Sequence, residues 1–303
     1  GWLAGYLLQL WAATSVARRE DAGVMGTSHI YGLVVWSGST CGGDKQSPVN
    51  IDRRRLQRDG GLGDILFEGY DQAPPGKWRL TNNGHTGSAS EHITISGGGL
   101  PGRYRAIQLH FHWGSPARNG SEHTLDGRQL PMEMHIVHMN AKYQTLAEAK
   151  EHPNGLAVLG FFFQVGLQGL PRNWVLVLPL SCPTGDSVDL ASTFRLSTLL
   201  PRVGRLSGYY RYQGSLTTPD CSEAVVWTVF EEPVEIGQEQ VLPCGSMLLK
   251  MINNFRPPQP LRSRKIFASR GATASGGSLH GGHHQLLLPL LLLALLSLFL
   301  PAL

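Results

Sequence analysis

The chain has 303 residues, of which 42% are hydrophobic and 16% are charged, and its formal net charge at pH 7 is +4. An average domain is about one quarter charged, so the low charge, together with 37 Gly and 19 Pro residues, argues against coiled coils and helical bundles. The hydrophobic content excludes a disordered chain, and the small, scattered positive charge excludes a typical nucleic-acid binder. All-β folds of this length are often a single domain.

The first 17 residues predict a leader outside the fold. Residues 2–13 are mostly apolar, and Ser15-Val16-Ala17 has the small-x-small spacing of a signal cleavage site. We interpret residues 1–17 as the remnant of a secretory signal. Two alternatives stay open at this point, a gene-model artefact and a segment buried in the fold.

Five apolar runs in the middle of the chain predict buried strands. They are short, rich in β-branched and aromatic residues, and bounded by Gly or Pro, which favours strands over helices. Short helices are predicted at residues 145–151 and 192–200. We therefore predict a mainly β (α+β) single domain, built on a large, twisted, mostly antiparallel sheet with short peripheral helices. The five runs are residues 106–113, 132–139, 156–165, 174–180 and 224–230.

Three histidines on two of these strands indicate a metal site. His110 and His112 are two residues apart, so their side chains lie on the same face of a strand. His135 lies in the next run, where it shares a face with Glu133 and Val137. Three imidazoles without a thiolate or a fourth protein ligand indicate Zn²⁺ with one open position, which is the arrangement of a catalytic site.

The same alternation predicts partners for the ligands. Gln108 lies on the face of His110, and Glu133 lies on the face of His135, so each is expected to accept the second ring N–H of its neighbour. A single strand histidine is more often a hydrogen-bonded core residue than a ligand. The pair at i and i+2, with a third histidine beside a carboxylate, favours the metal site.

The C-terminal segment predicts a lipid anchor. Residues 286–303 are apolar and uncharged, and they follow a polar spacer and the small residues Ser275-Gly276-Gly277. This order is typical of a GPI-anchor signal, with Ser275 as the expected attachment residue and residues 270–285 as the linker and attachment region. A retained transmembrane helix is the alternative, because about 20 apolar residues span a bilayer. No basic residue follows the tail to hold it in the cytoplasm, which favours the anchor.

These two ends predict passage through the secretory pathway to the extracellular face of the plasma membrane. Cysteine pairing is expected in that oxidising compartment. Asn119, in the sequon Asn119-Gly120-Ser121, is the expected glycosylation site.

Motifs along the chain resemble those of the α-class carbonic anhydrases, in family order. Residues 108–114 resemble the first ligand strand of that family, and residues 121–124 with 133–137 resemble its signature. The resemblance extends from residue 41 to residue 269, which we predict as the catalytic domain after a divergent segment at residues 18–40. With Cys41, Cys221 and the anchor signal, the chain is most similar to the extracellular GPI-linked members (the IV/XV group). Further matches are residues 46–51, 82–85, 214–219 and 254–257.

The resemblance implies an enzyme that reversibly hydrates carbon dioxide to bicarbonate and a proton, by attack of zinc-bound hydroxide. It implies that Thr217 accepts the hydroxide proton and donates its own proton to Glu122. His85 matches the residue that passes protons to solvent, although a surface turn histidine is the alternative interpretation. Asn254 is implied as an outer contact of the zinc ligands. The residues implied for the carbon dioxide pocket are Val137, Val158, Leu216, Thr218 and Trp227.

The resemblance also implies a disulfide between Cys41 and Cys221, binding of sulfonamide-type inhibitors and a monomeric protein. Cys182 and Cys244 remain, and four cysteines allow three connectivities. A catalytically impaired relative that serves as a cell-surface binding ectodomain is the alternative function, but such relatives usually lack one zinc histidine. A zinc hydrolase is a third possibility, which the missing helical H-E-x-x-H motif disfavours.

Overall fold

The computed structural model describes residues 39–73, 92–115, 118–166, 194–218, 220–236 and 253–274, and the backbone of three short strands at 9–12, 79–81 and 187–189. Most of this part of the chain forms strands connected by turns. The strands are β1 Gln9–Ala12, β2 Asn50–Ile51, β3 Gln57–Arg58, β4 Ile65–Glu68, β5 Arg79–Thr81, β6 Thr94–Gly97, β7 Tyr104–Trp113, β8 Thr124–Leu125, β9 Arg128–Gln129, β10 Met132–Asn140, β11 Leu156–Val165, β12 Ser187–Asp189, β13 Tyr209–Gly214, β14 Val225–Ile236 and β15 Phe267–Ala268.

The described helices are few and short. The one α-helix among them, α1, is Leu146–Lys150, and 3-10 helices lie at Ser39–Gly42, Leu196–Leu199 and Val203–Arg205. None of the helices in the described ranges is long and apolar enough to cross a membrane.

One large sheet contains twelve of the described strands. Its order is β12-β5-β1-β7-β10-β11-β14-β13-β15-β3, with β6 beside β7 and β4 beside β6. Four neighbouring pairs, among them β11 with β14, are parallel, and the remaining pairs are antiparallel. A small second sheet consists of β2, β8 and β9. This architecture confirms the predicted mainly β fold class.

Four of the five predicted strands are present, with differences at their ends. β7 begins two residues earlier than predicted, β10 ends one residue later, β11 has the predicted bounds, and β14 continues to Ile236. The run at residues 174–180 lies outside the described residues. The helix predicted at residues 145–151 is α1, and the Thr145 hydroxyl caps it by accepting a hydrogen bond from the Glu148 amide at 3.2 Å.

The predicted helix at residues 192–200 is wrong in type and length. Its described part forms a single 3-10 turn at Leu196–Leu199, flanked by extended backbone at Arg195 and Leu200. Arg195 provides no side-chain cap for the turn. Pro201 follows Leu200 and disfavours helical backbone in the residue before it, so the turn does not continue.

The structure places part of the predicted leader in the sheet. β1 pairs in parallel with β5 on one side and with β7 on the other, where Trp11 lies opposite His110. A position between two strands of the sheet agrees with the alternative in which residues 9–12 belong to the fold. Removal of residues 1–17 from the mature protein stays a prediction.

Each face of the sheet is covered by its own apolar cluster. Leu109, Met134 and Phe161 belong to one cluster, and Val137 and Trp227 belong to the other. β11 is buried on both faces from Leu156 to Phe163, which explains its continuous apolar sequence. We call the side of the sheet that carries Val137 and Trp227 the zinc side, because the three histidines lie there as well.

Candidate metal centre

The pairing of β7 with β10 brings the predicted ligands together. His110 lies directly opposite His135, and His112 lies directly opposite Glu133. All four residues lie on the zinc side, because side chains two residues apart share a face. On the other neighbour of β10, Gly160 lies opposite His135. A Cβ at Gly160 would lie 3.2 Å from Glu133 Oε1, so the glycine leaves room for this carboxylate.

The three imidazole rings converge at one point. His135 Nδ1 and His110 Nε2 are 3.2 Å apart, and one nitrogen of each ring lies within 4.8 Å of the other two. The ring centroids are 4.6 to 5.1 Å apart. All three side chains are buried, with at most 5% of any residue exposed.

Oxygen acceptors determine which nitrogens face the centre. His112 Nδ1 lies 2.9 Å from the carbonyl oxygen of Asn254, which can only accept, so Nδ1 carries the ring proton. His112 Nε2 then presents a lone pair, and this buried atom has no hydrogen-bond partner among the described residues. His135 Nε2 donates to Glu133 Oε1 at 2.8 Å, so His135 Nδ1 presents the other lone pair. Buried imidazole lone pairs directed at one point fit a Zn²⁺ ion.

Burial keeps these rings neutral. It lowers the pKa of His112 to about 3, and it lowers the pKa of His135 despite the opposing effect of Glu133. The pKa of His110 lies well below its ordinary value because of burial and the neighbouring rings. Metal ligation requires neutral imidazole, so a cation need not displace protons from these rings at physiological pH.

Glu133 connects His135 to a buried hydrogen-bond chain. Its Oε1 also accepts from His123 Nδ1 at 2.7 Å, and its Oε2 accepts from the His123 amide at 2.8 Å. His123 Nε2 therefore accepts from the Tyr212 hydroxyl at 2.7 Å, and Tyr212 accepts in turn from the Ser47 hydroxyl at 2.9 Å. The chain of hydrogen bonds from Ser47 to His135 thus has one consistent set of proton positions, which fixes the tautomer of His135.

The electrostatics of Glu133 agree with this arrangement. Burial would raise the pKa of its carboxyl group, but the electrostatic interactions and hydrogen bonds with His123 and His135 outweigh that effect, and the pKa lies well below its ordinary value. Glu133 is therefore an ionised acceptor. The sequence predicts the contact with His135 but does not assign His123, Tyr212 or Ser47 to the site, although His123 lies within the motif at residues 121–124 and Ser47 lies within the motif at residues 46–51.

We expect Glu133→Gln to weaken zinc binding about 10- to 100-fold. A glutamine amide offers one acceptor oxygen in place of two, so it cannot accept from both imidazole rings and from the His123 backbone amide as the carboxylate does. Zinc affinity is measured by competition with a chromophoric chelator. Glu148→Gln removes an exposed carboxylate from α1 and is the control. Equal affinity in the two variants would show that Glu133 does not support the ligand.

Glu122 approaches the centre from the other side. Its Oε1 accepts from the Arg256 amide at 2.7 Å and lies 3.3 Å from His112 Nδ1, and its Oε2 lies 3.8 Å from His135 Nδ1. Burial raises the pKa of Glu122 well above its ordinary value, whereas hydrogen bonds from the Thr217 side chain and the Arg256 amide lower it. A dication held by the three rings would favour the carboxylate form of Glu122 and so oppose the effect of burial. Glu122 and Thr217 are therefore in contact, as the resemblance implies.

The predicted apolar pocket residues lie beside the histidines. Val137 lies opposite Val158 on β11, and Val158 lies opposite Trp227 on β14. The Trp227 ring centroid is 4.8 Å from that of His135. Leu216 is half-buried and packs against the same cluster. Thr218 is also half-buried and directly follows Thr217.

The remaining site predictions fall into three groups. Cys41 and Cys221 form the predicted disulfide. Gln108 lies opposite Val137, on the face of His110, and Asn119 is exposed, with its Nδ2 donating to the Gln129 carbonyl at 2.8 Å. Four residues lie outside the described part of the chain, and these are His85, Cys182, Cys244 and Ser275.

Three neutral imidazoles on one face of a large mixed sheet, supported by oxygen acceptors and flanked by an apolar wall, define a metalloenzyme centre. Comparisons with known proteins identify the family. The model for eukaryotic-type carbonic anhydrase matches residues 31–270. The chain belongs to the eukaryotic-type carbonic anhydrase family, which confirms the resemblance seen in its motifs.

The similar proteins cover most of the chain. Carbonic anhydrase 15 of Mus musculus is 46% identical over 259 residues, which are 77% of this chain and 78% of that protein. Carbonic anhydrase 4 of Rattus norvegicus is 40% identical over 257 residues, covering 81% and 82% of the two chains. Carbonic anhydrase 4 of Oryctolagus cuniculus is 42% identical over 245 residues, covering 77% and 78%.

Proposed function

We propose that this chain reversibly hydrates carbon dioxide to bicarbonate and a proton at a Zn²⁺ ion held by His110, His112 and His135. The observation that supports this most directly is the convergence of three buried imidazoles, two of which have their ring protons assigned by oxygen acceptors. The ion supplies a strong nucleophile at neutral pH because it lowers the pKa of water. The other requirements of the reaction fall to side chains of this chain.

Thr217 and Glu122 orient the nucleophile. Thr217 Oγ accepts a hydrogen bond from the attacking hydroxyl group and donates its own hydrogen to the Glu122 carboxylate. The Arg256 amide donates to Glu122 Oε1, which favours the acceptor form of this group. A hydroxyl group held in this way directs its free lone pair at the carbon atom of carbon dioxide. A larger fraction of encounters then has the orientation required for reaction.

The apolar wall receives the substrate. Carbon dioxide has no net dipole, so the surface of Val137, Val158, Leu216 and Trp227 binds it without hydrogen bonds, with Thr218 at the edge. Bicarbonate is charged and poorly solvated against the same wall, which favours its release. His85 is proposed to pass the remaining proton to solvent, because an imidazole with a pKa near 6.5 exchanges protons at neutral pH.

The sequence supports a location for this activity. The apolar tail, the spacer and Ser275 support attachment by a GPI anchor at the extracellular face of the plasma membrane. The exposed side chain of Asn119 supports glycosylation at this sequon. We propose a monomer that binds sulfonamide-type inhibitors.

Stopped-flow hydration of carbon dioxide tests the proposed function. Protein released from cells by phosphatidylinositol phospholipase C is expected to be active, to lose activity when a chelator removes zinc, to regain it on zinc addition, and to be blocked by a sulfonamide. A zinc-loaded, folded protein without hydration activity would refute the enzyme and favour the binding ectodomain. Active protein that the lipase does not release would refute only the anchor.

A further inference from the structure

α1 contacts the loop between β13 and β14, which carries Thr217. The residues in this contact take no part in the reaction proposed above. Lys150 is the last residue of α1, and its Nζ lies 2.5 Å from Asp220 Oδ2. The Ser222 hydroxyl donates to the Lys150 carbonyl at 2.8 Å. The helix end therefore contacts the loop through both its side chain and its backbone. We call Lys150, Asp220 and Ser222 the helix–loop clasp.

The loop is closed on itself next to Thr217. The Leu216 amide donates to the Ser222 carbonyl at 2.9 Å, and the Cys221 amide donates to the Thr218 carbonyl at 3.0 Å. Asp220 has a left-handed backbone with φ +80°, and its Oδ1 accepts from the Ser222 amide at 3.1 Å. These bonds connect Ser222 to the residue before Thr217 and Cys221 to the residue after it, so we expect a shift of Asp220 or Ser222 to move the backbone on either side of Thr217.

The helix and the loop also meet the same apolar surface. Leu146 of α1 and Leu216 of the loop both pack, half-buried, against the zinc-side cluster. The disulfide holds the loop at Cys221, and Gln46 Nε2 donates to the Cys221 carbonyl at 3.3 Å. These contacts hold the loop from the side of residues 41–46, whereas the clasp holds it from the side of α1.

We propose that Lys150 and Asp220 are positioning residues that hold the Thr217 hydroxyl in the orientation required for attack on carbon dioxide. This inference rests on the proposed role of Thr217. The two side chains are 29% and 44% exposed, and ion pairs of this kind contribute little to folding stability. Reaction rates depend far more steeply on the orientation of a group that contacts the nucleophile.

Two variants remove the ion pair with little other change. Lys150→Met keeps most of the length of the side chain without its charge. Asp220→Asn keeps an oxygen that accepts from the Ser222 amide, and asparagine tolerates the left-handed backbone. Because this change also creates an Asn-x-Ser glycosylation sequence, all variants are produced in a host that adds no N-glycans. We expect each variant to lower kcat/KM for carbon dioxide hydration about three- to fivefold. The double variant is expected to match the single ones, and Lys150→Arg to retain the wild-type value.

The control is Arg205→Met, which removes an exposed ion pair with Glu232 elsewhere in the fold. Its kcat/KM is expected to equal that of the wild type, and all variants are expected to keep their zinc and the control's Tm. Amide hydrogen exchange provides a readout that does not depend on activity, because the Leu216 and Cys221 amides should exchange faster in Lys150→Met than in Arg205→Met.

The outcomes separate this inference from the proposed function. An active wild type whose clasp variants match Arg205→Met in kcat/KM and in exchange would refute the clasp alone. Additive losses in the double variant, or losses that follow zinc content or Tm, would also refute it. A zinc-loaded wild type without hydration activity would refute the proposed function. If, in addition, the Leu216 and Cys221 amides exchanged equally fast in Lys150→Met and Arg205→Met, the clasp would be refuted as well.

Discussion

His112→Ala is expected to abolish stoichiometric zinc binding and to lower carbon dioxide hydration by at least about a thousandfold. The variant leaves two of the three imidazoles, and it removes the nitrogen whose buried lone pair has no hydrogen-bond partner in the described part of the chain. Without the ion, hydroxide must come from bulk water, whose pKa lies far above neutral pH, so very little hydroxide is present. Zinc content by mass spectrometry and stopped-flow hydration are the two measurements.

The control for this prediction lies on the same sheet. His138 is a buried histidine on β10 that faces away from the zinc side, and its Nε2 lies 2.6 Å from the Tyr70 hydroxyl. His138→Gln is expected to reduce Tm, because it disturbs a buried hydrogen bond, while one zinc ion per chain is retained. His112→Ala protein with full zinc content would show that the three imidazoles are not the ligand set.

The faces on which the three histidines lie could be predicted from the sequence because they depend on local alternation. A strand has a side-chain period of two, so the spacing of His110 and His112 places them on one face in any sheet that contains them. The same rule relates His135 to Glu133. The opposite orientation of His138, three residues after His135, follows as well, and its contact with Tyr70 agrees with it.

The rest of the site depends on register and distant pairing, which local patterns do not encode. Tyr212 reaches His123 because β13 pairs with β14, in a register that places Tyr212 opposite Trp227. His123 meets Glu133 because the connection between β7 and β10 folds back, with the Ser121 amide bonded to the Leu130 carbonyl. Such long-range contacts are set by tertiary packing, so the sequence motifs do not show which of these residues contact each other.

The sequence predicts the fold class, but it does not predict the extent of the sheet or the order of its strands. The apolar run of β11 indicated a strand buried on both faces, yet its parallel pairing with β14 depends on a connection that no short run describes. Strands of two residues, such as β3 and β15, are too short to give a periodic signal. The position of β1 between β5 and β7 is likewise a matter of long-range pairing.

Thr217→Val is expected to lower kcat/KM for hydration about 100-fold while zinc content stays at one per chain. Valine keeps the branched shape of threonine, but it removes the hydroxyl group that contacts Glu122 and that we propose accepts a hydrogen bond from the nucleophile. Nothing in the ligand set changes, because His110, His112 and His135 keep their contacts. The loss therefore reports on orientation alone, and it is measured as kcat/KM because that ratio does not depend on later proton release.

Thr217→Ser is the matched control for this variant. Serine retains the hydroxyl group and loses only a methyl group, so most of the wild-type kcat/KM is expected to remain. Equal rates for the valine and serine variants would refute the orienting role of the hydroxyl group. Loss of zinc from Thr217→Val would show instead that Thr217 supports the metal site. We thus propose two separable functions on one face of the sheet, ion binding by three imidazoles and orientation of the nucleophile by the loop that carries Thr217.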